Sequence, residues 1–513
     1  MKQRKSQKKG IGFPIRLFIS ALLIIIQLVA IFLMVVYISS AAIWVYTAFQ
    51  AFSILIVVAI LGSRGNPSYK ITWIIYILLF PLVGGLFYLI WGGGRVPPHI
   101  KKRLRMSESD RKNLLSSDSE ALSKLCESDG IYSREARYLA KESGYPLYEN
   151  TECRYLSPGE KAGPVILKEL KKAQKYIFIE FFILAEGTFW DEIHEILLEK
   201  LKSGVEVRIM YDDFGSISRQ FRGFHKRLQK EGFKITAFNR IRPSVDLFMN
   251  NRNHRKIIVI DGKTAFTGGL NIGDEYLNRI VRFGYWMDNL IMLKGEAVKS
   301  FIVMFCTMWE FNTGKRLDVR SYFSDYSERD AEGYVLPYCD SPINDKNPAE
   351  GIYMQILGTA RKYVYILTPY LIIDNTMQQA LCLAAQAGVD VRIVTPKIRD
   401  KWYVHPATQF TYEELLRSGV RIFEYTPGFI HSKVFLSDDM VATVGTVNMD
   451  YRSFYFHFEC GVFMQGTSAI KDVKDDIESI LADSEEIVLS KWEKRPWYKK
   501  LWETLLHVFA PFM

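Results

Sequence analysis

The hydrophobic positions of this chain fall into three regimes. From Leu17 to Ser63 no Asp, Glu, Lys or Arg interrupts a run of 47 residues. A membrane-spanning helix takes ~20 residues, so the run predicts two spans that part near Ser39–Ser40. A third apolar stretch, Ile71 to Gly94, is broken by Pro81 and Gly84–Gly85, and the link Arg64-Gly65-Asn66-Pro67 reads as a turn. A signal peptide is the competing explanation, with Ser39-Ser40-Ala41 as its cleavage site. Hydrophobicity continues past that site, which favours an anchor over residues 1–94. Residues 95–150 read as a basic, polar and partly helical connector.

The second regime is a repeat. Lys175-Tyr176-Ile177-Phe178-Ile179 is echoed by Lys362-Tyr363-Val364-Tyr365-Ile366, and Gly204-Val205-Glu206-Val207-Arg208-Ile209 by Gly388-Val389-Asp390-Val391-Arg392-Ile393. A helix-like segment separates the apolar runs in both copies, Trp190–Leu201 and Thr376–Ala387. Strand, helix, strand with buried strands predicts an α/β half-domain. Two halves, 151–315 and 345–486, then form a pseudo-twofold body joined by a polar linker at 316–344. In the third regime, 487–513, Trp497, Leu501, Trp502, Leu505, Leu506 and Phe509 recur at helical spacing, and predict a short amphipathic helix. It reads as an interfacial tail on a lipid surface, with packing on the protein's own core as the alternative.

Charge sharpens this division. The 513 residues hold 66 Lys and Arg against 56 Asp and Glu, a net charge of +10. Residues 1–112 contain 15 basic residues and only the acids Glu108 and Asp110, so that region carries +13 and the remainder −3. A slightly acidic body argues against nucleic acid as a partner. Six basic residues precede the first apolar segment and seven lie within 95–112. Both flanks favour the cytoplasmic side, which three full spans cannot satisfy together, so orientation stays open. The six cysteines are scattered without a C-x-x-C and read as isolated thiols.

Each half carries one polar constellation. His254, Lys256, Asp261, Gly268 and Asn271 recur as His431, Lys433, Asp438, Gly445 and Asn448, with the spacing H-x-K-x4-D-x6-G-x2-N. His and Lys two apart on a strand face one side, and glycine lets the backbone turn so that Asn returns towards them. A neutral imidazole is a nucleophile. Two imidazoles allow one to attack phosphorus while the other protonates the leaving oxygen. Lys256, Lys433, Asn271 and Asn448 supply donors to phosphate oxygens. The lysines do the charge neutralisation that a metal would otherwise do, so neither a metal nor another cofactor is expected.

The paired pattern resembles the phospholipase D superfamily and its HKD motifs. The whole chain is similar to the bacterial cardiolipin synthases: the N-terminal anchor, Phe283-Gly284-Tyr285-Trp286, Asp450-Tyr451-Arg452-Ser453-Phe454 and the tail all match. The resemblance implies two phospholipase D-like halves, each a mixed sheet flanked by helices, behind N-terminal transmembrane helices. It implies a multi-pass protein of a bacterial cell membrane. The reaction implied is phosphatidyl transfer between two phosphatidylglycerol molecules, giving cardiolipin and glycerol through a phosphohistidine. His254 and His431 would be the nucleophile and its acid/base partner, and Asp261 and Asp438 the aspartates of the catalytic motif, whose role is more structural, with closure of a turn as the alternative to a part in catalysis. Asp288 and Glu459 would orient the histidines. Met287 stands where the family usually has Arg, and Gly268-Gly269 where Gly-Ser is common. Glu180, in an apolar strand, and Tyr211-Asp212-Asp213, at the end of the next, are further candidates beside the site. The rival activities are hydrolysis to phosphatidic acid, a nucleic-acid phosphodiesterase, and non-catalytic lipid binding. Absence of a Walker A run or a Rossmann glycine fingerprint fits a reaction that needs no nucleotide.

Overall fold

The computed structural model describes residues 40–63, 65–92, 96, 98–115, 120–128, 130–241, 250–326, 331–343 and 346–512, with Ile25 and Val29. The chain divides into two compact units, Met1–Arg95 with Arg242–Leu247, and Val96–Ile241 with Phe248–Met513.

The first unit is helical. Ser40–Gly62 forms a 23-residue helix. Asn66 starts the next, Pro67–Leu79, by accepting the Ser68 N–H on its side chain. Pro81 ends that helix, because the residue before a proline is pushed out of the α region; Phe80 sits at φ −131°, ψ 70°. A short helix, Pro81–Phe87, follows. Ser53 donates to the Pro81 carbonyl at 2.8 Å, which ties the first helix to the break. Gly84 lies against the Ile77 backbone, where a Cβ would come within 2.7 Å. Ile43, Trp44, Leu55, Val58, Leu61, Leu78, Leu79 and Leu89 point outward and stay exposed. Among the described residues, no helix is long and apolar enough to cross a membrane. The expected transmembrane helices therefore gain no support from them, and most of the span expected before Ser39 lies outside the described residues.

The second unit holds, beside two short two-stranded pairs, two large sheets with one topology. Strands β1 (Thr151–Leu156), β2 (Tyr176–Phe181), β3 (Glu206–Asp212), β4 (Lys234–Phe238), β5 (Arg252–Asn253), β6 (Lys256–Ile260), β7 (Thr264–Gly268), β8 (Tyr285–Met287) and β9 (Leu290–Gly295) come from the first half. The second half gives β10 (Tyr334–Asp340), β11 (Tyr363–Leu367), β12 (Leu371–Ile372), β13 (Asp390–Pro396), β14 (Arg421–Tyr425), β15 (Gly428–Ile430), β16 (Val434–Ser437), β17 (Val441–Gly445), β18 (Met449–Asp450), β19 (His457–Gln465) and β20 (Ser484–Glu486). The first sheet runs β1-β9-β7-β6-β2-β3-β4, the second β10-β19-β17-β16-β11-β13-β14-β20. Each position matches its counterpart in direction, with β2-β3-β4 and β11-β13-β14 parallel and the other shared pairs antiparallel. This is the mixed α/β, two-half architecture that the repeat predicts.

Strand β10 corrects one boundary. It lies in the stretch 316–344 read as a linker, yet it pairs with β19 along seven positions. Pro337 in its middle hid it. Proline is tolerated there because β10 is an edge strand.

Alternation along β2 shows where the core sits. Ile177 and Ile179 pack with the helices Gly159–Leu170 and Thr188–Lys202, while Tyr176 and Phe178 face a second core. That second core surrounds the helix Val298–Thr313, apolar and buried on nearly every side, and joins the two sheets. The helices of the connector place Leu104, Leu125 and Leu139 in the same core. At the C-terminus the helix Trp497–His507 packs on Val404–Phe410, with His507 stacked on Phe410 at 4.0 Å and Arg495 paired to Glu503. Its other face leaves Trp497, Leu501 and Leu505 exposed.

Candidate active site

The two halves exchange strands at the site. Strand β5 runs into His254 and pairs in parallel with the start of β19 in the other half, Arg252 opposite His457. Strand β15 runs into His431 and pairs in parallel with β8, Ile430 opposite Met287. The backbone N–H of His254 donates to the Phe458 carbonyl at 2.9 Å, and that of His431 to the Met287 carbonyl at 2.7 Å. The residue after each of those carbonyls is a carboxylate. His254 Nδ1 therefore meets Glu459 at 2.9 and 3.0 Å, and His431 Nδ1 meets Asp288 at 2.7 Å. Each histidine is held by the carboxylate of the opposite half.

All four side chains are buried, Asp288 and Glu459 completely. Lys256 and Lys433 lie beside them, each Nζ donating to the carbonyl of the histidine two residues earlier. Burial pushes His431 down to about 4, helped by Lys433 and opposed by Asp288. Burial, then Lys256, Lys433 and His431, hold His254 well below its usual range. Both rings are neutral at physiological pH. A carboxylate on Nδ1 then fixes that nitrogen as the N–H and leaves the Nε2 lone pair free. Burial lowers Lys256 to about 8 and Lys433 to about 7, against the pull of the two carboxylates. Burial raises the Asp288 carboxyl, but His431 and Lys433 outweigh it and keep Asp288 low and ionised.

The asparagines differ from one another. Asn271 Oδ1 accepts the Ile183 N–H at 3.0 Å, and its side chain reaches Tyr276, whose ring is 5.8 Å from His431. Asn448 Oδ1 is buried and has no hydrogen-bond partner among the described residues.

Asp261 and Asp438, grouped with the catalytic residues in the sequence reading, stand elsewhere. Asp261 accepts the backbone N–H groups of Gln174, Lys175 and Tyr176 at 2.7, 2.7 and 2.9 Å. Asp438 does the same for Arg361, Lys362 and Tyr363 at 2.7, 2.9 and 2.9 Å. Both adopt positive φ, 52° and 53°, in the turn at the far end of β6 and β16 from the histidines. They fasten that turn to the start of the neighbouring strand. Carboxylates spent on three backbone donors at the opposite end of a strand do not reach the reacting groups.

Glu180 and Asp212 support the approach to His254. Glu180 accepts from the Asn253 side chain at 2.7 Å and Asp212 from the Asn253 backbone at 3.0 Å. Burial raises Glu180 to about 7 and Asp212 to about 6, against Arg255 and Arg252 respectively. Tyr211 and Asp213 turn away, Tyr211 to His225 and Asp213 to the Ile241 N–H.

Three site residues escaped the sequence reading. Trp286 Nε1 donates to Asp288 at 3.3 Å, and Thr446 donates to Glu459. His457 lies 5.5 Å, ring to ring, from His254, with Nδ1 3.6 Å from Glu459 Oε1. The signal was available: Trp286-x-Asp288 and His457-x-Glu459 share the period that puts both side chains on one face. His254, His457 and Glu459 are the group of ligating side chains, among the described residues, close enough together to hold a metal ion.

Gly269 explains the departure from Gly-Ser. A Cβ there would lie 2.0 Å from Asp288 Oδ1 and 2.9 Å from the His431 carbonyl. Gly269→Ala is expected to displace Asp288. A shift of order 1 Å costs about 100-fold in rate and overpacking about 1–3 kcal/mol. A thermal melt and a rate assay check this; an alanine variant with full activity would mean that Asp288 does not hold His431 as described.

The family described as cardiolipin synthase, PLD-like domain, matches residues 166–309 and 353–481, and a phospholipase D-nuclease N-terminal family matches 51–93. A protein of Streptococcus mutans is 42% identical over 462 residues, 89% of this chain and 99% of that one. Cardiolipin synthase of Alkalihalophilus pseudofirmus is 33% identical, covering 90% and 92% of the two chains. Cardiolipin synthase 2 of Bacillus anthracis is 34% identical, covering 91% of each. The crystal structure of phosphatidylserine synthase from Haemophilus influenzae shares the fold, with a TM-score of 0.54 at 13% identity over 73% of this chain and 97% of that one. Two like halves, each supplying a histidine to the other's carboxylate, thus lie within matches that span most of the sequence, and the chain belongs to the cardiolipin synthase family with its PLD-like domains.

Proposed function

We propose that the chain is a phosphatidyltransferase that makes cardiolipin from two molecules of phosphatidylglycerol. The reciprocal pairing of two buried, neutral histidines with two carboxylates carries this reading. Nε2 of one histidine attacks the phosphodiester phosphorus; the other histidine, which takes a proton from solvent on Nε2 as the anionic phosphodiester enters and so becomes an imidazolium, gives that proton to the departing glycerol oxygen. A phosphatidyl-histidine remains. The hydroxyl of a second phosphatidylglycerol loses its proton to the histidine that acted as acid, attacks phosphorus, and frees the first histidine. Lys256, Lys433, Asn271 and Asn448 bind the phosphate oxygens, and Asp288 and Glu459 position the rings. Both halves act as one catalytic unit. Exclusion of water by the buried site favours transfer over hydrolysis.

Exposed apolar side chains in the first unit and, separately, in the tail support a membrane location for the protein. The exposed Trp44, Leu55 and Leu61 of the first unit, and the exposed Trp497, Leu501 and Trp502 of the tail, are the surfaces that enter lipid. The deciding experiment incubates purified protein with phosphatidylglycerol in mixed micelles and follows lipid products and glycerol. Cardiolipin with matching glycerol is expected; phosphatidic acid as the main product would make the protein a hydrolase.

The lysines and the histidines set the expected pH dependence. A lysine whose pKa is lowered keeps its charge below that value and loses it above. Lys433 and Lys256, at about 7 and 8, must be charged to meet a phosphate anion, while His431 stays neutral until pH falls towards about 4. The profile of kcat/KM, which reports free-enzyme groups, is expected to fall as pH rises from about 5, because the histidine that acts as acid loses its proton, and more steeply from about 7, where Lys433 loses its charge. A profile that rises to pH 9 would contradict charged lysines in the site.

A further inference from the structure

We propose that His254, His457 and Glu459 form a binding site for a zinc-like divalent cation, and that its occupancy silences His254. The three ligand atoms lie within 4.8 Å of one another, and all three residues are buried. Glu459 stands 2.9 Å from His254 Nδ1 and 3.6 Å from His457 Nδ1. Ligands at Zn–N and Zn–O distances of about 2.0–2.1 Å in a tetrahedron are about 3.4 Å apart; the two separations from Glu459 bracket that value, and the histidine pair, within 4.8 Å, closes on the ion as it binds. Two imidazoles and a carboxylate select Zn²⁺ or Cu²⁺ over Mg²⁺ or Ca²⁺.

His457 is the second observation. It is 9% exposed, and neither ring nitrogen has a hydrogen-bond partner among the described residues. A buried imidazole with one nitrogen unmet and the other facing a carboxylate only at 3.6 Å is under-satisfied, a cost that a ligand would recover. The other half offers an internal contrast. The position matching His457 is Trp286, whose indole N–H donates to Asp288 and has no lone pair for a metal. A metal site can form on the Glu459 side alone.

The consequence for His254 follows from tautomers. Without metal, the proton sits on Nδ1 facing Glu459 and the Nε2 lone pair is free. A cation on Nδ1 takes that lone pair, so the N–H bond at Nδ1 breaks and the proton resides on Nε2. The ring stays neutral and no proton is lost overall, but the nitrogen that would attack phosphorus or accept a proton is blocked. This consequence rests on the function proposed above; binding itself does not.

The test uses the tag-free full chain in detergent without substrate. Zn²⁺ binding is measured by competition with a chromophoric chelator, for wild type and His457→Asn. Loss of an outer-shell partner alone typically costs 10–100-fold in metal affinity, so loss of a direct ligand is expected to cost at least as much. One zinc per chain in wild type, weakened tenfold or more in His457→Asn, supports the site. No binding in wild type, or equal affinity in both, overturns it. Zinc-edge X-ray absorption of the wild-type complex keeps the question decidable should the variant misfold: two imidazoles and one oxygen donor are expected from the chain, and fewer imidazoles or any sulfur overturns the assignment. Transfer assayed in buffered zinc is then expected to fall in step with occupancy. Undiminished transfer at full occupancy overturns the silencing while leaving the transferase reading intact, and a protein without transfer activity that still binds zinc at these residues overturns that reading alone.

Discussion

Replacing His254 with alanine is expected to lower phosphatidyl transfer by about 10³-fold or more, and His431→Ala to do the same. A factor of 10³ is about 4 kcal/mol of transition-state stabilisation. In the proposed mechanism neither loss can be shared out, because one imidazole would form the bond to phosphorus while the other would deliver the proton to the leaving oxygen. The two variants should nonetheless differ in a second assay. With a phosphodiester whose leaving group needs no proton, such as a nitrophenyl ester, the variant that keeps the nucleophile still forms the phosphatidyl-histidine. It then stalls, and the adduct is visible by mass spectrometry. The variant that lacks the nucleophile forms none. Activity within tenfold of wild type in either alanine variant would remove that histidine from the reaction. Both rings are buried and hydrogen-bonded, so a melt on each variant separates lost chemistry from lost structure.

Much of this was legible in the chain because its causes are local. The apolar runs at 175–179 and 362–366 became the matching strands β2 and β11, since buried strands next to a sheet centre read as continuous β-branched and aromatic residues. The motif put His254 and Lys256 on one face because two residues is the period of a strand. For Asp261 the same logic leaves catalysis and turn closure both open, and the structure has the turn. Spacing tied it to the motif, but the five residues of β6 carry it to the other end of the sheet. The exchange of carboxylates had no local signature at all. It depends on β5 pairing with β19 and β15 with β8, strands of two or three residues on one side, between residues 205 and 143 apart. No periodicity survives at that length. Pro337 disguises strand β10, and His457 is a lone histidine outside both motifs whose sequence partner, Glu459, is already assigned to the motif histidine.

That exchange sets the second large effect. Glu459→Gln is expected to lower transfer by about 10²- to 10⁴-fold, as removing a ring-orienting carboxylate does in other imidazole catalysts, and Asp288→Asn by a similar factor. The amide keeps the volume, so the loss reports the charge and the tautomer it enforces. An amide on Nδ1 can donate as well as accept, which lets the ring carry its proton on Nε2, the wrong nitrogen. Location distinguishes this from general damage. In ¹⁵N-labelled histidine spectra, Glu459→Gln should move the Nδ1–H signal of His254 and leave that of His431 in place, and Asp288→Asn should do the reverse. A Glu459 variant that moved His431 would mean that each half orients its own histidine. The double variant His254→Ala with Glu459→Gln should be no slower than His254→Ala, because Glu459 acts through the ring that is gone. A carboxylate 205 residues from the histidine it orients also means that neither half can carry the chemistry by itself. The pseudo-twofold body is then one site with two contributors, and the interface between the halves is itself the catalytic apparatus.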